Sequence, residues 1–333
     1  MTHDSITQQN HKIQGARVVV TGGAGFIGSH LAGELVRRGY KVTILDDLST
    51  GNKENLSDLI NSTNSINSIN SANSVVNFVE GSITNLKLLQ ELFHGIDFAF
   101  HQAAIPSVPR SVDNPLASNE ANITGTLNVL MAARDNGVKK VVYASSSSVY
   151  GDTPTLPKRE DMMPNPQSPY AVTKLAGEYY CQVFQEVYGL PTACLRYFNV
   201  YGPRQDPNSQ YSAVIPRFVD RVSKGEPPII FGDGEQTRDF TFVKDVVEAN
   251  MLAANSNATG VFNIGRGERI SINELAELVI NLTERRGVPV HQKPRQGDVR
   301  HSLADISRAR TFGYNPRFSL EEGLTETVRS FQS

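Results

Sequence analysis

Two periods alternate along the chain. Short β-branched or continuously apolar runs at residues 17–21, 41–45, 75–79, 97–101, 141–145 and 192–197 read as strands. Between them lie longer stretches with apolar residues three and four apart. One follows the glycines at 22–28 and ends near 38, and others cover about 85–94, 114–136 and 168–188. The punctuation agrees: Gly39 and Gly137 stop two of these helices, while Asn114-Pro115 and Ser168-Pro169 open two. Strands alternating with helices predict an α/β fold, a Rossmann-type doubly wound parallel sheet. Past about residue 202 the alternation loosens. Helices are expected over 214–224, 244–255, 305–311 and 319–331, and strands over 229–231, 237–243, 261–264 and 288–291. Ser271 and Glu274 form a capping-box signature opening a helix to about 286. This part predicts a smaller mixed α/β C-terminal lobe. Residues 1–15 are polar and patternless, and 61–74 are a low-complexity Asn/Ser run. They read as a disordered extension and a surface insertion.

The first strand breaks into Gly22-Gly23-Ala24-Gly25-Phe26-Ile27-Gly28 and then into a helix. Glycines at 22, 25 and 28 allow a tight turn, let a pyrophosphate touch the backbone, and let the helix sit close on the sheet. The helix N-terminus then presents free N–H groups and a positive dipole end. Asp46 ends the second strand, 24 residues beyond Gly22, where a carboxylate holds ribose hydroxyls and repels a 2′-phosphate. The cofactor expected is therefore NAD rather than NADP. Gln102-Ala103-Ala104 and the serines 145–148 also fall at strand ends, where such sheets bind ligands.

Tyr170 and Lys174 lie four residues apart at the start of the 168–188 helix, so they share a face. A phenol beside an ammonium is a candidate acid/base pair, because positive charge favours the phenolate. On spacing alone the pair reads as the face of an ordinary amphipathic helix; the strand ends and the glycine turn give it its chemistry.

Composition adds exclusions. The 333 residues carry a formal net charge of −2, with 39% hydrophobic and 20% charged residues. That balance offers no electrostatic case for nucleic acid or an anionic membrane surface. No apolar run is long enough to span a bilayer and none resembles a signal peptide, so a cytoplasmic protein is expected. Two isolated cysteines, Cys181 and Cys194, suggest neither a disulfide framework nor a zinc site, and the histidines show no ligand spacing.

Together, residues 21–28, Ser145 to Gly151, Tyr170-Ala-Val-Thr-Lys174, Arg196-Tyr-Phe-Asn199, Arg238-Asp-Phe240 and residues 295–305 resemble an extended short-chain dehydrogenase/reductase. More narrowly they resemble the UDP-hexose 4-epimerases, including those acting on N-acetylated sugars, and the match spans about 17–330. The resemblance implies that Tyr170 is the catalytic base and acid, that Lys174 binds the nicotinamide ribose and lowers the Tyr pKa, and that Ser146 relays a proton. It places NAD against Gly22, Gly25, Phe26, Ile27, Asp46, Asp47, Ser49, Thr50, Gly51, Ser82, Ile83, Gln102, Ala103, Ala104, Tyr170, Lys174, Tyr197 and Val200. It places the UDP-sugar against Ser107, Ser146, Ser147, Tyr170, Asn199, Ala213, Val214, Phe231, Arg238, Arg295, Asp298 and Ser302. Ser302 falls where a bulky residue restricts the sugar pocket of relatives limited to glucose and galactose. Ser82 departs from the aspartate usual in the family, which makes the adenine contact either weaker or one made by backbone.

The implied lobes are an NAD-binding domain of 16–201 plus 233–264 and a UDP-sugar lobe of 202–232 plus 265–333. A homodimer pairing the helices that begin at Asn114 and Ser168 is expected. Two other classes fit parts of the pattern. A 4,6-dehydratase would need an Asp-Glu pair where Ser147 and Ser148 stand, and a decarboxylase an acid at Ser148. A non-catalytic NAD-binding protein would not need both Tyr170 and Lys174.

Overall fold

The computed structural model describes residues 15–62, 75–207, 213–285, 287–294 and 299–332. The first strands and helices are β1 (Arg17–Thr21), α1 (Phe26–Arg37), β2 (Lys41–Asp46), α2 (Ser57–Ser62), β3 (Val76–Glu80), α3 (Leu86–Leu92) and β4 (Phe98–His101). After β4 come α4 (Val108–Asp113), α5 (Pro115–Asn119), α6 (Gly125–Asp135), β5 (Lys140–Ser146), α7 (Pro169–Tyr188), β6 (Thr192–Tyr197) and β7 (Val200–Tyr201). The remainder is α8 (Val214–Ser223), β8 (Ile229–Phe231), β9 (Thr237–Arg238), β10 (Thr241–Phe242), α9 (Val243–Asn255), β11 (Gly260–Ile264), β12 (Ile270–Ser271), α10 (Ile272–Leu282), β13 (Val290–Gln292), α11 (Ser307–Arg310) and α12 (Leu320–Gln332).

Seven strands form one parallel sheet in the order β11-β6-β5-β4-β1-β2-β3. Val18, Val19 and Val20 of β1 are wholly buried, as a strand covered on both faces requires. Val19 pairs with Thr43 of β2 on one side and Ala99 of β4 on the other. Sequence order reverses between β1 and β4, and that reversal opens a crevice at their carboxyl ends. The doubly wound sheet predicted from the alternating periods is therefore the fold.

By compactness the chain divides into two units. The first comprises residues 1–105, 116–144 and 176–194, and the second 106–115, 145–175 and 195–333. These lines differ from the lobes expected from the sequence, which follow ligand chemistry rather than compactness. The second unit also holds three two-stranded sheets, β7 with β10, β9 with β12, and β8 with β13.

Three local expectations change. The helix expected over 114–136 is interrupted by a wider turn at Glu120–Thr124. There Thr126 Oγ1 donates to the Asn122 carbonyl at 2.6 Å, a side-chain bond that competes with the helical ladder. The strand expected over 237–243 is two short strands, because Asp239 turns inward between them. Its carboxylate accepts the N–H groups of Arg266 (2.8 Å), Gly267 (3.0 Å) and Ala304 (3.0 Å). The helix expected to reach 286 stops at Leu282, where Thr283 Oγ1 takes the Val279 carbonyl at 2.9 Å. Among the described residues no helix is long and apolar enough to cross a membrane, and no group of three His, Cys, Asp or Glu is placed to hold a metal.

Candidate active site

In the first unit the glycine turn follows β1. Gly22 has φ 68°, and a Cβ there would lie 2.6 Å from Cα and N of Ala103. A side chain at 22 is thus excluded both by backbone conformation and by the end of β4. A Cβ on Gly28 would lie 2.1 Å from the Gly22 carbonyl oxygen, so close packing of α1 on the turn needs glycine there too. Gly25 caps α1 with no side chain over its first turn, and Phe26 and Ile27 begin the helix. Their end of the helix keeps unsatisfied N–H groups for an anion.

Asp46, at the end of β2, is buried and accepts the N–H groups of Ala24 and Leu48, each at 2.9 Å. Burial pushes its carboxyl up, and these donors pull it back toward ionisation. With the Gly25 N–H as a third donor the carboxylate still has accepting capacity left, so it is able to take a ribose hydroxyl while holding the glycine turn. Asp47 Oδ1 accepts the Ser49 N–H at 3.0 Å, and the space beside Gly51 is filled by Asp46, whose Oδ1 would be 2.6 Å from a Cβ. This tight loop holds Leu48 at φ 58°, an outlier for a bulky side chain, which the Asp46 bond sustains. Nothing in the sequence marks Leu48. Thr50 lies exposed in the same loop. Ser82 Oγ is 3.0 Å from Thr84 Oγ1, and Ile83 is buried with its carbonyl taken by Asn128 Nδ2 at 3.2 Å. Gln102, Ala103 and Ala104 follow β4 half-buried, and the Gln102 N–H donates to the Thr21 carbonyl at 3.1 Å.

In the second unit β5 ends at Ser146, and a short turn carries Ser147 and Ser148. Ser146 Oγ accepts the Ser148 N–H at 3.2 Å and hydrogen-bonds the Tyr170 phenol. Ser148 Oγ is buried without a hydrogen-bond partner. Tyr170 begins α7, where Ser168 Oγ accepts the Ala171 N–H at 3.1 Å, the cap its sequence predicts. Lys174 is buried, with its ammonium 5.9 Å from the Tyr170 ring centroid. Burial pushes the Tyr170 phenol above its ordinary value, and the Ser146 bond works in the opposite direction. Sequence reasoning missed Ser111, whose Oγ accepts the Tyr170 N–H at 3.0 Å and so fixes the first turn of α7. It also missed α4, which carries Ser111. Ser107 followed by Pro109 was the available signal: Ser107 Oγ caps α4 by accepting the Arg110 N–H at 3.2 Å.

A cavity of about 230 Å³ in the same unit is lined by Asn199, Val200, Ala213, Val214, Phe231 and Arg238, among others. Residues dispersed over 40 positions of sequence are thus brought together, and Val200, expected at the cofactor, joins the expected substrate residues. Asn199 has φ 30° and donates from Nδ2 to the Asp239 carbonyl at 3.0 Å and to Ser302 Oγ at 3.4 Å. The Arg238 guanidinium donates from Nη1 to the carbonyls of Thr237 (3.0 Å) and Arg300 (3.3 Å). Arg217 stacks over Phe231 at 5.6 Å. Tyr197, expected at the cofactor, hydrogen-bonds Asn250 through its hydroxyl. Arg295 and Asp298 lie outside the described residues.

Residues 18–265 match the model of the NAD dependent epimerase/dehydratase family. A solved UDP-N-acetylglucosamine 4-epimerase from Methanobrevibacter ruminantium M1, in complex with UDP-N-acetylmuramic acid, is 42% identical. The two superpose with a TM-score of 0.88, covering 96% of this chain and 99% of that one. The UDP-glucose 4-epimerase of Mycolicibacterium smegmatis is 40% identical over 95% of this chain and 99% of its own length. A UDP-N-acetyl-alpha-D-glucosaminuronate decarboxylase from Bacillus cytotoxicus is 35% identical over 95% and 98%.

Proposed function

This chain belongs to the NAD-dependent epimerase/dehydratase family, and on that premise we propose that it interconverts the 4-epimers of UDP-hexoses through a transient 4-keto sugar. N-acetylated substrates (UDP-GlcNAc and UDP-GalNAc) are included beside UDP-Glc and UDP-Gal. The observation that carries the reading is Tyr170, with Ser146 on its phenol and Lys174 beside its ring, in the same unit as the cavity lined by Asn199, Phe231 and Arg238.

The cofactor's fit rests on the glycine cradle at 22, 25 and 28, the open first turn of α1, and the Asp46 carboxylate. NAD, when bound there, supplies a reversible hydride acceptor for the sugar's C4. Tyr170 takes the proton of the 4-hydroxyl as the ketone forms and returns it after the sugar has turned over. The Ser146 hydroxyl shares that proton through its bond to the phenol. Burial alone holds the phenol protonated, so the base form requires positive charge nearby. Lys174 is the chain's own source of it. Arg238 and Asn199 hold the diphosphate while Ala213, Val214 and Phe231 wall the uracil, so that the nucleotide is fixed and the hexose remains free to rotate. In this division the NAD-binding domain is 16–201 plus 233–264 and the sugar lobe 202–232 plus 265–333. Ser147 and Ser148 offer no carboxylate, which favours epimerisation over the dehydratase and decarboxylase chemistries.

The test is turnover of UDP-galactose and UDP-GalNAc to their 4-epimers by purified protein. Tyr170→Phe should bind UDP unchanged yet lose about 10²–10⁴-fold in kcat, the range of a removed general base. A wild-type protein that carries NAD but turns over no UDP-hexose would sink the proposal.

A further inference from the structure

His101 ends β4 with 1% of its surface exposed, and no step above uses it. Its ring nevertheless bonds on both sides, Nδ1 to Thr21 Oγ1 at 2.8 Å and Nε2 to Thr126 Oγ1 at 2.9 Å. The direction of these bonds follows from their neighbours. Thr126 Oγ1 stands 2.6 Å from the Asn122 carbonyl, which only accepts, so the Thr126 proton is committed there. Nε2 therefore carries the hydrogen and donates to Thr126. Nδ1 is left as the acceptor, and the Thr21 hydroxyl donates to it. Thr21 Oγ1 then has a lone pair for the Ala103 N–H, 3.4 Å away. A single run of aligned bonds thus leads from the Ala103 N–H to the Asn122 carbonyl. Asn122 closes the other side, with Oδ1 accepting the Ile105 N–H at 2.8 Å and Nδ2 donating to the Ile105 carbonyl at 3.3 Å.

Both ends of the 103–105 segment are pinned by this run, and Thr21 directly precedes Gly22. Gly22 and Ala103 lie back to back at the ends of β1 and β4, where a Cβ on Gly22 would come within 2.6 Å of the Ala103 backbone. We propose that neutral, Nε2-protonated His101 is a positioning residue for the dinucleotide. It holds the glycine turn and the 103–105 segment at one separation, and so sets how tightly the cofactor is retained. The inference rests on the NAD reading above.

Thr126 is the point to test, because it is buried on α6 and supports the histidine from the side away from Thr21 and Ala103. Thr126→Val keeps the volume and removes the acceptor for Nε2–H, whereas Thr126→Ser keeps the hydroxyl. The measurements are NAD retained per chain after gel filtration, the NAD Kd by titration, and the UDP Kd as a control on folding. Thr126→Val should weaken NAD about tenfold, the scale of one buried hydrogen bond, with UDP affinity unchanged. Thr126→Ser should remain near wild type. The ¹⁵N spectrum of His101 should show one protonated ring nitrogen, Nε2, in the wild type. A Thr126→Val protein that holds NAD as the wild type does, or a His101 protonated at Nδ1, overturns the inference. Failure of the wild type to bind NAD in the same titration would instead overturn the cofactor reading.

Discussion

Ser302 accepts a hydrogen bond from Asn199 Nδ2 at 3.4 Å and is 9% exposed. Asn199 also lines the cavity proposed above to hold the nucleotide, so the bond ties Ser302 to one wall of that cavity. On the proposed substrate reading, the small side chain at 302 is what admits an N-acetyl group, and a tyrosine in its place would exclude that group while sparing a hydroxyl. Ser302→Tyr should therefore lower kcat/KM for UDP-GalNAc by about 10–200-fold relative to UDP-galactose, the range one pocket contact can discriminate. Loss of both substrates in equal proportion would show that Ser302 does not gate the sugar. Serine-for-tyrosine logic of this kind was legible in the sequence only through the family resemblance. By contrast, Ser111 was invisible as a support for Tyr170, because the two are 59 residues apart and no local pattern joins them.

At the scale of elements, Asp239 shows why the Arg238-Asp239-Phe240 motif is not a plain strand. Three N–H groups, from the turn after β11 and from residue 304, converge on one carboxylate that is fully buried. Burial pushes its carboxyl up to about 6, although these donors and Arg266 favour the ion. Because the folded value is raised, the native state holds a proton that the unfolded chain has released between about pH 4 and about 6. Stability from this group is fully present below that window and is lost as pH rises through it. Asp239→Asn should remove this component of the slope of unfolding free energy between those pH values. Asp239→Ala should destabilise by on the order of 2–4 kcal/mol, since three buried donors lose their acceptor. It should also raise the KM for UDP-sugars, because Arg238 and the Asn199 contact are anchored on either side. Denaturant unfolding at several pH values measures the slope and the destabilisation, and steady-state kinetics with UDP-sugars measure the KM. An alanine variant as stable as the wild type would mean that water replaces the carboxylate.

Across the whole molecule, the sequence revealed what is encoded locally. The strand–helix alternation, the glycine turn with Asp46, and the four-residue spacing of Tyr170 and Lys174 each lie within one or two elements, so their residues declare the geometry directly. What stayed hidden depends on contacts distant in sequence. Examples are the inward turn of Asp239, the positive φ of Leu48, and the aligned bonds through His101. Association belongs to this scale as well. Tyr179, Val183 and Val187 follow one another at four-residue steps on α7, and they are 55%, 46% and 66% exposed. A stripe of that kind costs solvation in a lone chain, and a second copy of the same helix, related by a two-fold axis, would cover it with its own stripe. We expect a homodimer built on this face. Sedimentation at micromolar concentration should give twice the chain mass. The double variant Tyr179→Glu with Val183→Glu places four carboxylates in one isologous interface, and should weaken association by at least about 10³-fold through their desolvation. A wild type that sediments as a single chain, or a double variant that remains dimeric, would show that the stripe faces something else.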